Sequence, residues 1–210
     1  MQNMWSDGEY CMSVAGTTSV GARIYCHEMA SCSPREYLTL PAGPDENYSH
    51  TYGTDDQVTD GLLKYTKLRI SVENSTFNPN DWTFADPSGV NHAENPNGNY
   101  YFPMFGKASS CGMNTKGHLS VNLIGTGFYL PTSLQWVGFG YIPPEGSIYN
   151  PVRTLQTFWS QCSAWCGGCV PQELDEDGNY DGWTYFLEDL SARVMPVAYD
   201  YTLDPDQCEL

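Results

Sequence analysis

Glu173, Asp175, Asp177, Asn179 and Asp181 put an oxygen-bearing side chain at every second position of the stretch ELDEDGNYD. Hard cations, calcium first among them, favour that composition and spacing. Aligned on an EF-hand-like loop, Gly178 takes the sharp-turn position, but Glu173 replaces the first aspartate and Thr184 stands where a bidentate acid belongs. The competing reading is a solvated acidic linker whose Asp181 caps a following helix. A second group, Cys162, Cys166 and Cys169, is spaced like a set of thiolate ligands for zinc but lacks a local fourth ligand. Oxidation is its alternative. Cys11, Cys26, Cys32, Cys111, Cys162, Cys166, Cys169 and Cys208 form an even set in an acidic, lysine-poor chain. That combination predicts disulfides throughout and an oxidising, extracellular compartment. At least two of the three clustered cysteines are expected in bridges to strands distant in sequence, because closing long loops constrains the unfolded chain most.

Nucleophilic and metal-dependent hydrolysis have weaker support. His27 and Glu28 begin like the H-E-x-x-H helix of zinc proteases, but Ser31 occupies the second histidine position. A loop following a strand is the expectation there, and no intrinsic peptidase activity is expected of the chain. The histidines at 27, 50, 92 and 118 are scattered, and Gly125-Thr126-Gly127 reads as a bend, not a phosphate loop. Asn47-Tyr48-Ser49 and Asn74-Ser75-Thr76 satisfy the glycan acceptor pattern, which makes Asn47 and Asn74 candidate glycosylation sites on a eukaryotic secretory route. Of the aromatic residues, Trp82, Trp136 and Trp159 are expected to be buried, with Tyr100 and Tyr101 at the surface.

The elements that must position these residues read as strands. Leu68, Ile70 and Val72 alternate with Lys67, Arg69, Ser71 and Glu73, and Leu119, Val121 and Leu123 alternate with His118, Ser120 and Asn122. Weaker signals cover Val20 to Tyr25, Tyr37 to Leu40, Leu134 to Tyr141 and Thr154 to Trp159. The polar segments Asp86 to Asn99 and Pro143 to Gly146 read as surface loops. With 20 glycines, 14 prolines and 14% aromatic residues among 210, the chain predicts a mainly β fold. That fold is a disulfide-stabilised, sandwich-like antiparallel domain over residues 7–171. Residues 172–210 would follow as an acidic linker, a short amphipathic helix carrying Trp183, Phe186, Leu187, Leu190 and Val194, and a tail packed back on the domain. The net charge of −16 argues against nucleic acid and anionic lipid as partners. No stretch has the roughly 20 apolar residues of a membrane helix, so membrane insertion is not expected. Met1 to Tyr10 lacks the order of a signal peptide, so the expectation is a chain whose leader is removed or a piece of a longer protein.

In order along the chain stand DGEY (7–10), ARIYC (22–26), Met29, PREYLTL (34–40), ENYSHTYG (46–53), KLRISV (67–72), DWTFA (81–85), GHLSVNLIGTGFYL (117–130) and CSAWCGGCVP (162–171). This series resembles the GON domain, a module at the C-terminal end of some ADAMTS metalloproteases and of related bacterial extracellular proteins. The resemblance covers about residues 7–171 and places Cys26, Cys111, Cys162, Cys166 and Cys169 on the family's cysteine positions. Cys11, Cys32 and Cys208 have no obvious counterpart, and TDDQVTDGLLKYT (54–66) replaces a cysteine-rich insertion of the animal versions. What the resemblance implies is a non-catalytic extracellular accessory module docking on matrix, a cell surface or a neighbouring subunit. The alternative is a carbohydrate-binding or calcium-dependent adhesive module, and the third reading is a protease-associated domain with a zinc site of its own.

Overall fold

The computed structural model describes residues 6–13, 21–52, 61–72, 76–87, 104–110, 115–130, 134–139, 148–163, 167–173 and 195–196, and the structural statements that follow concern these residues. They form β1 (Gly8–Ser13), β2 (Gly21–His27), β3 (Arg35–Thr39), β4 (Tyr48–Tyr52), β5 (Gly61–Tyr65), β6 (Lys67–Ser71), β7 (Thr76–Asn78), β8 (Ala85–Asp86), β9 (Ala108–Ser110), β10 (Gly117–Asn122), β11 (Phe128–Tyr129), β12 (Leu134–Phe139), β13 (Ile148–Arg153), β14 (Thr157–Cys162), β15 (Gly167–Glu173) and β16 (Met195–Pro196). No helix among the described residues is long and apolar enough to cross a membrane. The helix expected after Asp181 lies outside the described residues.

Alternation becomes sheet geometry in the first, five-stranded sheet, ordered β1-β2-β3-β6-β7 and antiparallel throughout. Ile24 lies opposite Leu38 and Leu38 opposite Leu68, so three buried aliphatic side chains form one inward row. The neighbouring row, Tyr25, Tyr37 and Arg69, faces the other way. The second sheet runs β12-β15-β9-β4-β10-β14-β13, with β5 added on the far edge of β4 and β8 on β5. Its ladders are antiparallel except that β4 and β9 run parallel, an exception to the all-antiparallel expectation. Ile24, Leu38, Leu68 and Ile70 of the first sheet meet Leu63, Tyr65, Val121 and Phe158 of the second in one core, so the domain is sandwich-like.

The larger sheet also curls on itself. Cys162 on β14 is bonded to Cys169 on β15, with their Cα atoms 5.6 Å apart, although three strands separate β14 from β15 in the sheet order. At the two ends of that order, Arg153 Nη1 of β13 donates to the Leu134 carbonyl of β12 at 2.5 Å. Ala108, Leu119 and the disulfide fill the inside of the curl, with Trp136 and Ile148 packed against them.

This curvature corrects the cysteine expectations. Two of the three clustered cysteines pair with each other across seven residues and not with distant strands, which also removes the thiolate set proposed for zinc. Cys26 and Cys32 are free thiols, contrary to an all-disulfide framework. Cys26 lies on the core side of β2, its sulfur 3.7 Å from that of Met12, where no second cysteine faces it among the described residues. Burial, reinforced by Glu36, Glu9 and Asp7, raises its pKa and disfavours the thiolate. The tryptophan expectations also change. Trp82 is exposed and Trp136 and Trp159 are only half-buried, Trp82 sitting in the turn before β8 and Trp159 on the outward parity of β14.

Candidate interaction surface

Ile124, Tyr149, Val152 and Leu155 are four of the five large hydrophobic residues exposed among the described ones, at 54%, 37%, 50% and 59%. They lie along β13 and in the two turns beside it. The turn before β14 is held by the Thr154 N–H donating to the Thr157 carbonyl at 2.9 Å. It docks on the turn after β10 through Leu123 N–H to the Gln156 carbonyl, 2.8 Å, while Gln156 Nε2 donates to the Phe128 carbonyl at 3.0 Å. Ile124 and Leu155 are thereby carried on neighbouring turns. β13 ends the sheet order, yet its pairing with β14 shifts register between Tyr149 and Val152, where Asn150 takes φ 50° and Pro151 has no N–H to offer. The edge is therefore blunted against strand addition while its apolar side chains stay presented.

A second surface covers the outer row of the five-stranded sheet. Phe84 lies over it, edge-on to Tyr37, His27 and Tyr25 at ring distances of 4.7, 5.3 and 5.4 Å. This lid explains why Tyr37 is buried despite its outward parity. Four of the nine cations in the chain lie on β2, β3 and β6: Arg23, Arg35, Lys67 and Arg69. Arg35 pairs with Glu28 at 2.9 Å, Lys67 with Glu9 at 3.3 Å and Arg69 with Glu36 at 2.7 Å, and the Lys67 ammonium stands 4.5 Å from the Tyr25 ring centre. His27 and Glu28 end β2 in a loop, as the missing second histidine predicts. The Asp7 carboxylate accepts the Met29 N–H at 2.8 Å and lies 2.9 Å from His27 Nδ1, while Glu28 turns with φ 57°.

Acid should loosen this loop. The N–H groups of Met29 and Glu28, with a smaller contribution from His27, hold the Asp7 carboxyl below the ordinary aspartate range. Burial acts to raise Asp81, but Thr83, the Tyr37 hydroxyl and Arg35 outweigh it and lower its pKa. Both folded-state values are depressed, so the stabilisation is complete above about pH 4 and is lost as pH falls through the folded values. Urea midpoints measured between pH 6 and 2.5 should show Asp7→Asn and Asp81→Asn flattening the acid limb; limbs as steep as the wild type would refute these assignments.

The remaining site expectations divide. Asn47 is buried, its Oδ1 accepting the Asn122 N–H at 2.8 Å and its Nδ2 donating to the Gly43 carbonyl at 3.1 Å, so the folded domain has no room for a glycan there. That corrects the glycosylation expectation at Asn47. Asn74 lies outside the described residues, as do Asp175, Asp177, Asn179 and Asp181 of the calcium reading and Cys111, Cys166 and Cys208. Cys11 is described only in its backbone, paired with Arg23. Among the described residues no three histidine, cysteine or acidic side chains gather into a metal cluster. His50 and His118, expected to be scattered, meet with their rings stacked at 5.8 Å.

The model of the GON domain matches the chain over residues 1–59 and 53–176. The chain belongs to the GON domain family. Its GON sequence is 25% identical over 191 residues to the human protein "A disintegrin and metalloproteinase with thrombospondin motifs 20", covering 79% of this chain and 9% of that protein. The nematode Caenorhabditis elegans protein "A disintegrin and metalloproteinase with thrombospondin motifs gon-1" is 26% identical over 193 residues, covering 79% of this chain and 8% of the relative. The chain thus spans less than a tenth of the relatives it matches. No solved structure matches it. The blocks that carried the resemblance now have places in the GON fold: PREYLTL contains β3, ENYSHTYG contains β4, and GHLSVNLIGTGFYL contains β10, a turn and β11. Thr126 closes that turn by donating to the Leu123 carbonyl at 2.7 Å and accepting the Phe128 N–H, between Gly125 and Gly127 at φ 82° and 77°.

Proposed function

We propose that this GON domain is a non-catalytic accessory module of an extracellular protein, docking its parent on matrix, a cell surface or a neighbouring subunit. The observation that carries the reading is the exposure of Tyr149 and Val152 on the blunted edge strand β13, and of Leu155 and Ile124 on the two docked turns beside β14, in a chain of net charge −16. Exposed apolar groups so collected favour contact with another macromolecule, and each aliphatic side chain buried there would contribute about 1.5–3 kcal/mol. The family membership and the Cys162–Cys169 bridge support an oxidising, extracellular setting.

The test is binding of the purified domain to cell-deposited extracellular matrix. Val152→Glu/Leu155→Glu should weaken binding by about tenfold or more while leaving the thermal midpoint within a few degrees, since both side chains are exposed. Unchanged binding by the double variant, or none by the wild type, would overturn the proposal.

A carbohydrate-binding reading has its own support. Trp159 and Tyr48 flank the small Ser120 on the outward face of β14, β10 and β4, and Trp159 Nε1 donates to the Tyr48 hydroxyl at 3.3 Å. Half-buried aromatic faces of this kind stack on sugar rings. A glycan array probed with and without calcium, using wild type and Trp159→Ala, separates this reading and its calcium-dependent form from protein docking.

A further inference from the structure

We propose that His50 and His118 form a two-imidazole site for a borderline divalent transition ion, zinc being the ion to test. β4 and β10 run antiparallel, with Tyr48 opposite Ser120 and Ser49 opposite Leu119. Continuing the register one step sets His50 across from His118, on the face away from buried Ser49 and Leu119. Both histidines are half-buried and within reach of solvent. Their ring centres are 5.8 Å apart and their planes differ by 28°. With zinc–nitrogen bonds of about 2.0–2.1 Å, two imidazoles on one tetrahedral ion hold their ring centres about 5 Å apart, so side-chain rotation suffices to close the site. The backbone beneath is fixed, because β10 begins at Gly117, wedged against the carbonyls of His50 and Ser109.

The surroundings suit the ion. Burial, then His50 and Lys116, lower the pKa of His118. Lys116, a cation facing the pair, acts against the ion, and its ammonium is held 4.1 Å from the Tyr149 ring centre. Tyr52 packs edge-on to His50 at 6.0 Å and walls one side. The −16 charge of the whole chain raises the local concentration of cations, and imidazole selects zinc over calcium or magnesium. Two protein ligands leave two positions for water or for donors on a docked partner.

Calorimetry with zinc chloride tests the assignment in a Cys32→Ser background, because the exposed Cys32 thiol would otherwise compete for zinc. One zinc per chain is expected. His50→Gln and His118→Gln should each weaken it by about tenfold or more, a loss no smaller than that of an outer-shell partner. Magnesium should give no heat. Thermal midpoints in chelator check that the variants fold, and zinc-induced shifts of the two imidazole signals in wild-type NMR spectra report on the site where a variant does not. No zinc heat, unshifted imidazole signals, or undiminished affinity in both folded variants would overturn the proposal.

Discussion

Gly117→Ala is expected to prevent folding or to lower stability by more than about 4 kcal/mol, the range reserved for substitutions the native backbone cannot absorb. A Cβ at this position would lie 2.2 Å from the Ser109 carbonyl oxygen, 2.6 Å from that of His50 and 2.7 Å from the Ser109 nitrogen. All three are backbone atoms, so no side-chain rotation relieves the overlap. The crowding follows from the sheet topology. β5 occupies one edge of β4 from Tyr48 to Thr51, and the opposite edge is divided, Tyr48 and Ser49 pairing with β10 and Thr51 and Tyr52 with β9. At His50 the edge passes from an antiparallel to a parallel neighbour, and Gly117 begins β10 where β9 closes in. Relieving the clash would part β9 or β10 from β4 and open the curled sheet. Gly8→Ala is the control, since its Cβ would meet only Tyr10 Cε2 at 3.9 Å, and it should change stability by less than about 1 kcal/mol. Equal urea midpoints for the two variants would show that the shared edge is not tightly packed.

How far the sequence foretold this molecule depends on which interactions build each element. β6 and β10 were legible because each places its aliphatic side chains on one buried face, which writes the parity into the residue order. β9 was not: Ala108–Ser110 is too short for any period, and it exists because β4 and β15 supply partners on both sides. β13 was not foreseen, because Asn150 and Pro151 interrupt its alternation with a bulge in an edge strand. The cysteine cluster was legible as a group but not as a pairing, because the curl that brings β14 to β15 belongs to the whole sheet. The same holds for function. The strand-end loop at His27 followed from one missing histidine, whereas the apolar rim and the His50–His118 stack join segments that touch only after folding.

Asn47→Ala should cost about 1–3 kcal/mol, because it strands the Asn122 N–H, which has the Asn47 side chain as its acceptor. The Asn122 N–H loses the contact that ties the turn before β4 to the end of β10, whereas the Gly43 carbonyl keeps the Glu46 N–H at 3.3 Å. The Asn47 carbonyl meanwhile accepts the N–H of the buried Tyr65, so the side chain fixes a junction of three segments. Asn47→Asp should be worse at neutral pH, since it repels the Gly43 carbonyl and buries a charge. The position also lies in an N-x-S pattern, and Ser49→Ala separates the two roles the pattern allows. Ser49 Oγ is buried without a hydrogen-bond partner, so its removal should leave stability unchanged or slightly raised, while abolishing any glycan acceptor at Asn47. If Asn47 serves packing, the secreted domain carries no glycan at this position by peptide mass analysis, and Ser49→Ala unfolds at the wild-type urea concentration. If it serves as an acceptor, Ser49→Ala and Asn47→Ala lose the same glycan mass and fall together in yield, and the buried geometry of Asn47 would be wrong.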